Sequence, residues 1–361
     1  LVGDLNPFRA LRYIPDHKVL LDTAFSRAAK LNLAKSKKPA HVRAREKEIA
    51  KLRSIQDSIS TRLDEVVKGF PNFDNIEPFY RALADTVVPI DELRQALASV
   101  TSAIRVLRSI VRDSQHRLTQ AETPLGARRL RVSAYGRIAS VIDRLNPRLE
   151  VIRRAATEYR RFPSIDLTLP VIVVAGFPNV GKSSFVTWVS TAQPEIAEYP
   201  FTTKKISVGH FPLDPKGGQV LDIPGLLDRP MEERNPIERR AIAALQYLAD
   251  CILFLIDPTL TCGYELTGQV ALFREVNRTF PMVELYPLLN KCDIATQEEK
   301  EKATTLLGVG PLPQISSKTG EGVETVFRDV LKTSMAIQRK LKALRDQPLS
   351  PQSNPESQSH P

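Results

Sequence analysis

The sequence predicts two domains of different class: an all-α helical bundle over residues 1–165 and a doubly wound α/β domain over residues 166–345. Three observations carry this. Apolar residues recur every three to four positions from Asp16 to about Tyr159, as amphipathic helices require. After Pro170, short β-branched runs alternate with helical stretches, as in a layered sheet. Between the two patterns lies RRFPSIDLTLP, a linker bracketed by Pro163 and Pro170. The 361 residues suffice for two cores, and 42% apolar with 25% charged residues is the mixture of a chain that folds.

In the first domain, Val19, Leu20, Phe25, Ala28 and Leu31 mark one helix, and Ile49, Leu52, Ile55, Ile59, Leu63 and Val66 a second. The segment GFPNFDNIEPF, with Gly69, Pro71 and Pro78, breaks the pattern. A third stripe runs through Leu93, Leu97, Val100, Ile104, Leu107 and Val111, and a fourth through Ile138, Val141, Leu145, Leu149 and Ile152. Asn146-Pro147 interrupts the fourth. Asn before Pro suits an N-cap followed by a first helical residue, so a kink or restart is expected there. The stripes are bundle core; any function of this domain lies on its Arg-rich outer faces, such as Arg128, Arg129, Arg131 and Arg137.

Charge is divided unevenly. Residues 1–165 carry 31 Lys and Arg against 18 Asp and Glu, a net +13, while residues 166–361 carry 20 against 23, a net −3. A basic domain followed by a weakly acidic one is the pattern of a chain that meets a polyanion with one half. No apolar run approaches the roughly 18–20 residues of a membrane span, and the start LVGDLNPFRALRYIP lacks a basic segment followed by an apolar one, so neither a membrane span nor a leader is expected. Cys251, Cys262 and Cys292 form no CxxC pair, which disfavours a disulfide framework or zinc site and suits a reducing compartment.

The second domain opens with VIVVAG, read as a buried parallel strand. Similar runs recur at QVLDIPG, CILFLIDP, ELYPLLNK and LPQISS, with helical stretches such as IERRAIAALQYLAD between them, and KKISVGHF reads as a further strand. DQPLSPQSNPESQSHP, residues 346–361, has no apolar spacing and is expected to be a disordered tail.

The chemistry sits at strand ends. Gly176-Phe-Pro-Asn-Val-Gly181-Lys182-Ser183 fits G-x-x-x-x-G-K-[ST] between a strand and a helix, the P-loop pattern. Its glycines let backbone N–H groups and the helix N-terminus face phosphates. Lys182 would reach the β- and γ-phosphates, and Ser183 would bind Mg²⁺, with Asn179, Val180 and Ser184 completing the loop. Asp222-Ile-Pro-Gly225 ends the next strand: Asp222 would hold Mg²⁺ and the Gly225 N–H would sense the γ-phosphate. In Tyr199-Pro-Phe-Thr-Thr203, a threonine hydroxyl would complete the Mg²⁺ shell; Thr203 is favoured over Thr202.

Asn290-Lys291-Cys292-Asp293 reads the base. Guanine presents two N–H donors that one carboxylate accepts and adenine does not, so Asp293 would select guanine, Asn290 tie loops together and Lys291 cover the base. Ser316-Ser317-Lys318 follows the last strand and would support the base from its other side. Together these motifs describe a P-loop GTPase domain taking GTP or GDP with Mg²⁺. The residue after DIPG is Leu226, which can neither donate nor accept a hydrogen bond and so cannot orient the attacking water.

The sequence closely resembles the Nog family of nucleolar-type GTP-binding proteins, relatives of the Obg GTPases. GFPNVGKSS, EYPFTTKKISVGHF, DIPGLLDRPMEERNPIERRAIAALQYL and LFLIDPTLTCGYELTGQ are similar to the family's nucleotide domain, and NPFRALRYIP, AFSRAAK and FPNFDNIEPFYRALAD to its helical domain. The resemblance spans about residues 5–335. It implies a GTPase of slow intrinsic rate acting in large ribosomal subunit biogenesis, with the helical domain on ribosomal RNA and no membrane partner. Related GTPases with a hydrophobic residue at the Leu226 position often use a monovalent cation near the phosphates, which implies either K⁺ at Asn179 or, with Asn179 only shaping the loop, a group supplied by the ribosome. Unlike eukaryotic members, the chain ends soon after the nucleotide domain, so an archaeal form is expected, cytoplasmic and monomeric, with nucleolar location only in a eukaryote. Two other readings stay open: a nucleotide-dependent RNA-binding or ribosome-binding module with negligible hydrolysis, and a membrane-surface GTPase.

Overall fold

The computed structural model describes residues 5–31, 37–199, 205–213 and 217–332. The chain divides into two compact units, one of residues 1–165 with 198–201, the other of residues 166–197 with 202–361. Thr203 and the tail at 346–361 lie outside the described residues.

The first unit is helical: α1 (His17–Ala29), α2 (Ala40–Gly69), α3 (Pro78–Val87), α4 (Ile90–Thr119) and α5 (Pro124–Tyr159). Asp16 caps α1 by accepting from the Lys18 N–H, and Thr123 caps α5 by accepting from Gly126. The break expected at 69–78 ends in α3, a short helix the apolar spacing did not announce; it buries Phe79, Tyr80, Leu83 and Ala84. The stripes are rotated slightly from expectation, since α1 buries Leu20, Leu21, Ala24 and Ala28 while Val19 is exposed.

No restart occurs at Pro147, which lies within the continuous helix α5. Proline forfeits a single N–H bond there, while Ile138, Ile142, Leu145, Leu149 and Ile152 stay buried on both sides of it. Asn146 turns to its neighbours instead of capping: its Oδ1 lies 2.8 Å from His17 Nδ1 and its Nδ2 donates to Glu150 Oε1. Arg131 is also corrected, because it faces inward. Its guanidinium pairs with Glu48 at 2.5 Å and lies over the Tyr135 ring. Tyr159 closes the unit, donating from its hydroxyl to the carbonyls of Ala84 and Val88; burial raises its pKa.

The second unit holds β1 (Val171–Ala175), α6 (Lys182–Val189), β2 (Glu195–Ala197), β3 (Ile206–Phe211), β4 (Gly218–Asp222), α7 (Pro236–Ala244), β5 (Cys251–Ile256), α8 (Leu266–Thr279), β6 (Glu284–Leu289) and α9 (Gln297–Leu307), with residues 323–332 also helical. Its six described strands form one sheet in the order β2-β3-β4-β1-β5-β6. Strands β4, β1, β5 and β6 are mutually parallel, while β3 runs antiparallel to β4 and β2 to β3. β1, β4 and β5 are buried at every residue, as strands covered on both faces must be. LPQISS forms a single parallel bridge, Gln314 with Leu289, rather than a full strand. Chain connections leave β1 toward β4 on one side, and β5 lies on the other, so the carboxyl end of β1 is the switch point where ligands bind such sheets.

Candidate functional site

The loop from β1 to α6 is shaped by backbone angles that its sequence permits. Gly176 has φ +130° and Gly181 φ +103°. A Cβ on Gly176 would lie 2.5 Å from the Leu255 carbonyl oxygen, and one on Gly181 would run into Asn290 Nδ2, so both positions need glycine twice over. Asn179 stands between them at φ +62°, a left-handed conformation asparagine tolerates better than most residues. Its side chain is exposed and makes no hydrogen bond among the described residues. Val180 is fully buried and anchors the loop.

Lys182 opens α6 and is 8% exposed; its ammonium donates to the carbonyls of Gly176 and Phe177, both at 2.9 Å, so it lies across its own loop. Ser183 donates from its hydroxyl to Asp222 Oδ2 at 2.6 Å, joining the start of α6 to the end of β4. Ser184 beside it is exposed. Two oxygen ligands at this spacing, beside the N-terminus of α6, match the hard ligands Mg²⁺ takes.

Asn290, 1% exposed, directly follows β6. Its Nδ2 donates to the Val180 carbonyl at 2.7 Å and its Oδ1 accepts from the Ser317 N–H at 2.8 Å. One carboxamide therefore fastens the phosphate loop to the loop after the last bridge. Ser316 is fully buried and accepts from the Thr319 N–H, which closes that loop. Ser317 is 3% exposed, and its hydroxyl has no hydrogen-bond partner among the described residues. Lys318 and Asp293 are exposed, and neither makes a hydrogen bond or ion pair among the described residues.

Lys291, at φ +61°, donates to Asp257 Oδ2 at 2.7 Å and to Thr261 at 2.9 Å. Sequence reasoning missed Asp257, although it follows the strand run CILFLI directly. It is fully buried and accepts from Thr259, Thr261, the Cys262 N–H and Lys291. Burial pushes its carboxyl up, but the bond from Lys291, the bond from Thr259, the Lys291 charge and the Cys262 N–H outweigh that and hold it below the usual carboxylate value.

Two more residues, Asp228 and Arg234, were missed beside Gly225. The Gly225 N–H donates to Asp228 Oδ2 at 2.8 Å, and Arg234 donates to the Gly225 carbonyl and to Asp228 Oδ1. Leu226 is 2% exposed, so the side chain after DIPG is packed inside. Among the described residues no group of three or more His, Cys, Asp or Glu is placed to hold a metal, and no helix is long and apolar enough to cross a membrane.

The fold and these loops define a P-loop GTPase domain carried behind an all-helical domain. The family model for the NOG1 N-terminal helical domain matches residues 8–166, and that for nucleolar GTP-binding protein 1 matches residues 236–293. The chain belongs to the nucleolar GTP-binding protein 1 family. It is 33% identical over 297 residues to an uncharacterized protein of Methanocaldococcus jannaschii, covering 82% of this chain and 83% of that one. It is 31% identical over 302 residues to nucleolar GTP-binding protein 1 of Saccharomyces cerevisiae, covering 81% of this chain and 47% of that one. The chain thus spans about half the length of the curated nucleolar relatives it matches. The crystal structure of a candidate nucleolar GTP-binding protein 1 from Plasmodium falciparum is 32% identical, with a TM-score of 0.43, over 51% of this chain and 95% of that one.

Proposed function

We propose that this protein binds and hydrolyses GTP as a switch in large ribosomal subunit biogenesis, docking on the subunit precursor and its ribosomal RNA through the basic helical domain. The observation that carries the nucleotide reading is the placement of Asn290, whose one carboxamide joins the phosphate loop at Val180 to the base-side loop at Ser317. The site it unites offers N–H groups and Lys182 to the phosphates, and the open carboxylate of Asp293 to the N–H pair of guanine. Ser183 and Asp222 would hold Mg²⁺, which when bound neutralises charge on the β- and γ-phosphate oxygens. Thr203 joins them in this reading, as do Lys291 over the base and Lys318 beside it. The names of the eukaryotic relatives, which record the nucleolus and GTP binding, support the assembly role. The protein acts as a monomer in the cytoplasm, or in the nucleolus of a eukaryote.

Hydrolysis is slow in this reading, because the buried Leu226 offers the attacking water nothing. Asn179 is the candidate ligand for a K⁺ ion that would offset charge developing on the phosphates. The test of the nucleotide reading is equilibrium binding of GTP, XTP and ATP to the full chain. Wild type is expected to prefer GTP, and Asp293→Asn to prefer XTP, since the amide presents a donor that xanthine's extra carbonyl accepts. Unchanged selectivity in the variant would remove the base assignment.

A further inference from the structure

The segment after β4 holds an ion pair that the motif reading leaves without a task. Gly225 has φ +87°, and Leu226 and Leu227, 2% and 4% exposed, pin the backbone that follows it. Both polar groups of Gly225 are engaged: its N–H donates to Asp228 Oδ2 at 2.8 Å and its carbonyl accepts from Arg234 Nη1. Arg234 has a side chain with no exposed surface; its Nη2 donates to Asp228 Oδ1 at 3.3 Å and to the Arg229 carbonyl at 3.2 Å. A buried guanidinium is stable only where acceptors surround it, so Arg234 fixes the Asp228 carboxylate in place. Burial, and then the nearby Arg229, lower the pKa of Arg234, which Asp228 opposes.

We propose that Asp228, held by Arg234, occupies the Gly225 N–H that a γ-phosphate would take, so that carboxylate and phosphate compete for one donor and Asp228 sets the preference between GDP and GTP. This rests on the GTP reading above. The two acceptors are chemically alike: each is an anionic oxygen accepting a short, charge-assisted bond from a backbone N–H. GDP lacks the third phosphate and leaves the Asp228 bond intact. GTP must displace it, and with it the grip of Arg234 on the Gly225 carbonyl, so the binding of the third phosphate is coupled to rearrangement of residues 225–234. Asp228 and Arg234 are positioning and selectivity residues here, not groups that touch the reacting atoms.

The test is binding of GDP and of the non-hydrolysable β,γ-imido analogue of GTP to the full chain with Mg²⁺. Asp228→Asn leaves one oxygen where two donors need an acceptor. Asp228→Glu keeps the charge that Arg234 requires but moves the oxygen away from Gly225. In both, the Kd of the analogue is expected to fall about ten-fold relative to that of GDP, the size of one hydrogen bond to a charged group, while the GDP Kd stays as in wild type. An unchanged ratio, or a selective loss of analogue binding, would overturn the proposal while leaving the GTP reading intact. Failure of the wild type to bind any guanine nucleotide would instead strike the GTP reading. Thermal melts followed by circular dichroism confirm folding; if Asp228→Asn unfolds, Asp228→Glu, which preserves the ion pair, decides.

Discussion

Asn179 shows how a single residue carries two demands. Its φ of +62° gives it a backbone task, while its carboxamide stays exposed and uncommitted among the described residues. If the carboxamide ligates K⁺, GTP hydrolysis at saturating substrate with Mg²⁺ should run faster in K⁺ than in Na⁺ at equal ionic strength, and Asn179→Ala should erase the difference. Glycine at 179 should erase it too while relieving backbone strain, which separates the ligand role from the turn. Equal rates in the two salts would point to a group supplied by the ribosome. Asp257 is the contrasting case, a fully buried carboxylate whose five donors among the described residues include Lys291 of the base-reading motif. Nothing in LIDP alone marks it, because its importance lies in a lysine 34 residues away.

At the level of elements, the surprise is α5, which runs from Pro124 to Tyr159 through Pro147. The cue read at Asn146-Pro147 was a sound local signal overruled by packing, since burial on both sides outweighs one missing backbone bond. Pro147 is exposed, so replacing its ring loses no packing. Pro147→Ala restores an N–H donor for the Asp143 carbonyl, and should stabilise the helical unit by about 1–3 kcal/mol. A rise in its urea unfolding midpoint, followed by circular dichroism, is the expected result; an unchanged midpoint would mean the bond is not regained. In the α/β unit the reverse holds: the parallel strands β1, β4, β5 and β6 were legible as apolar runs. The three-residue β2 at the sheet edge, with two exposed residues, left no pattern to read.

For the whole molecule, charge is the property that no single element holds. Arg137, Arg144 and Arg148 on α5 are exposed, make no ion pair among the described residues and, spaced by seven and four, share a helix face. Binding of the full chain to a double-stranded RNA hairpin should weaken steeply with salt, with a log–log slope of about −0.9 per phosphate neutralised as for duplex DNA. Glutamates at those three positions should weaken binding and flatten the slope, whereas salt-independent binding would count against RNA docking. Arg131 would be a poor choice for that test, being committed to Glu48. The sequence by itself determined the two fold classes, the division of charge and the nucleotide motifs, because each depends on neighbours in the chain or on a periodicity that any helix or strand imposes. Tertiary structure alone decided that Asn290 would reach Val180 across 110 residues and that Asp257 would hold Lys291. Those bonds join side chains to partners that the sheet and its loops bring within reach, and their geometry exists only once β1, β4, β5 and β6 are packed side by side.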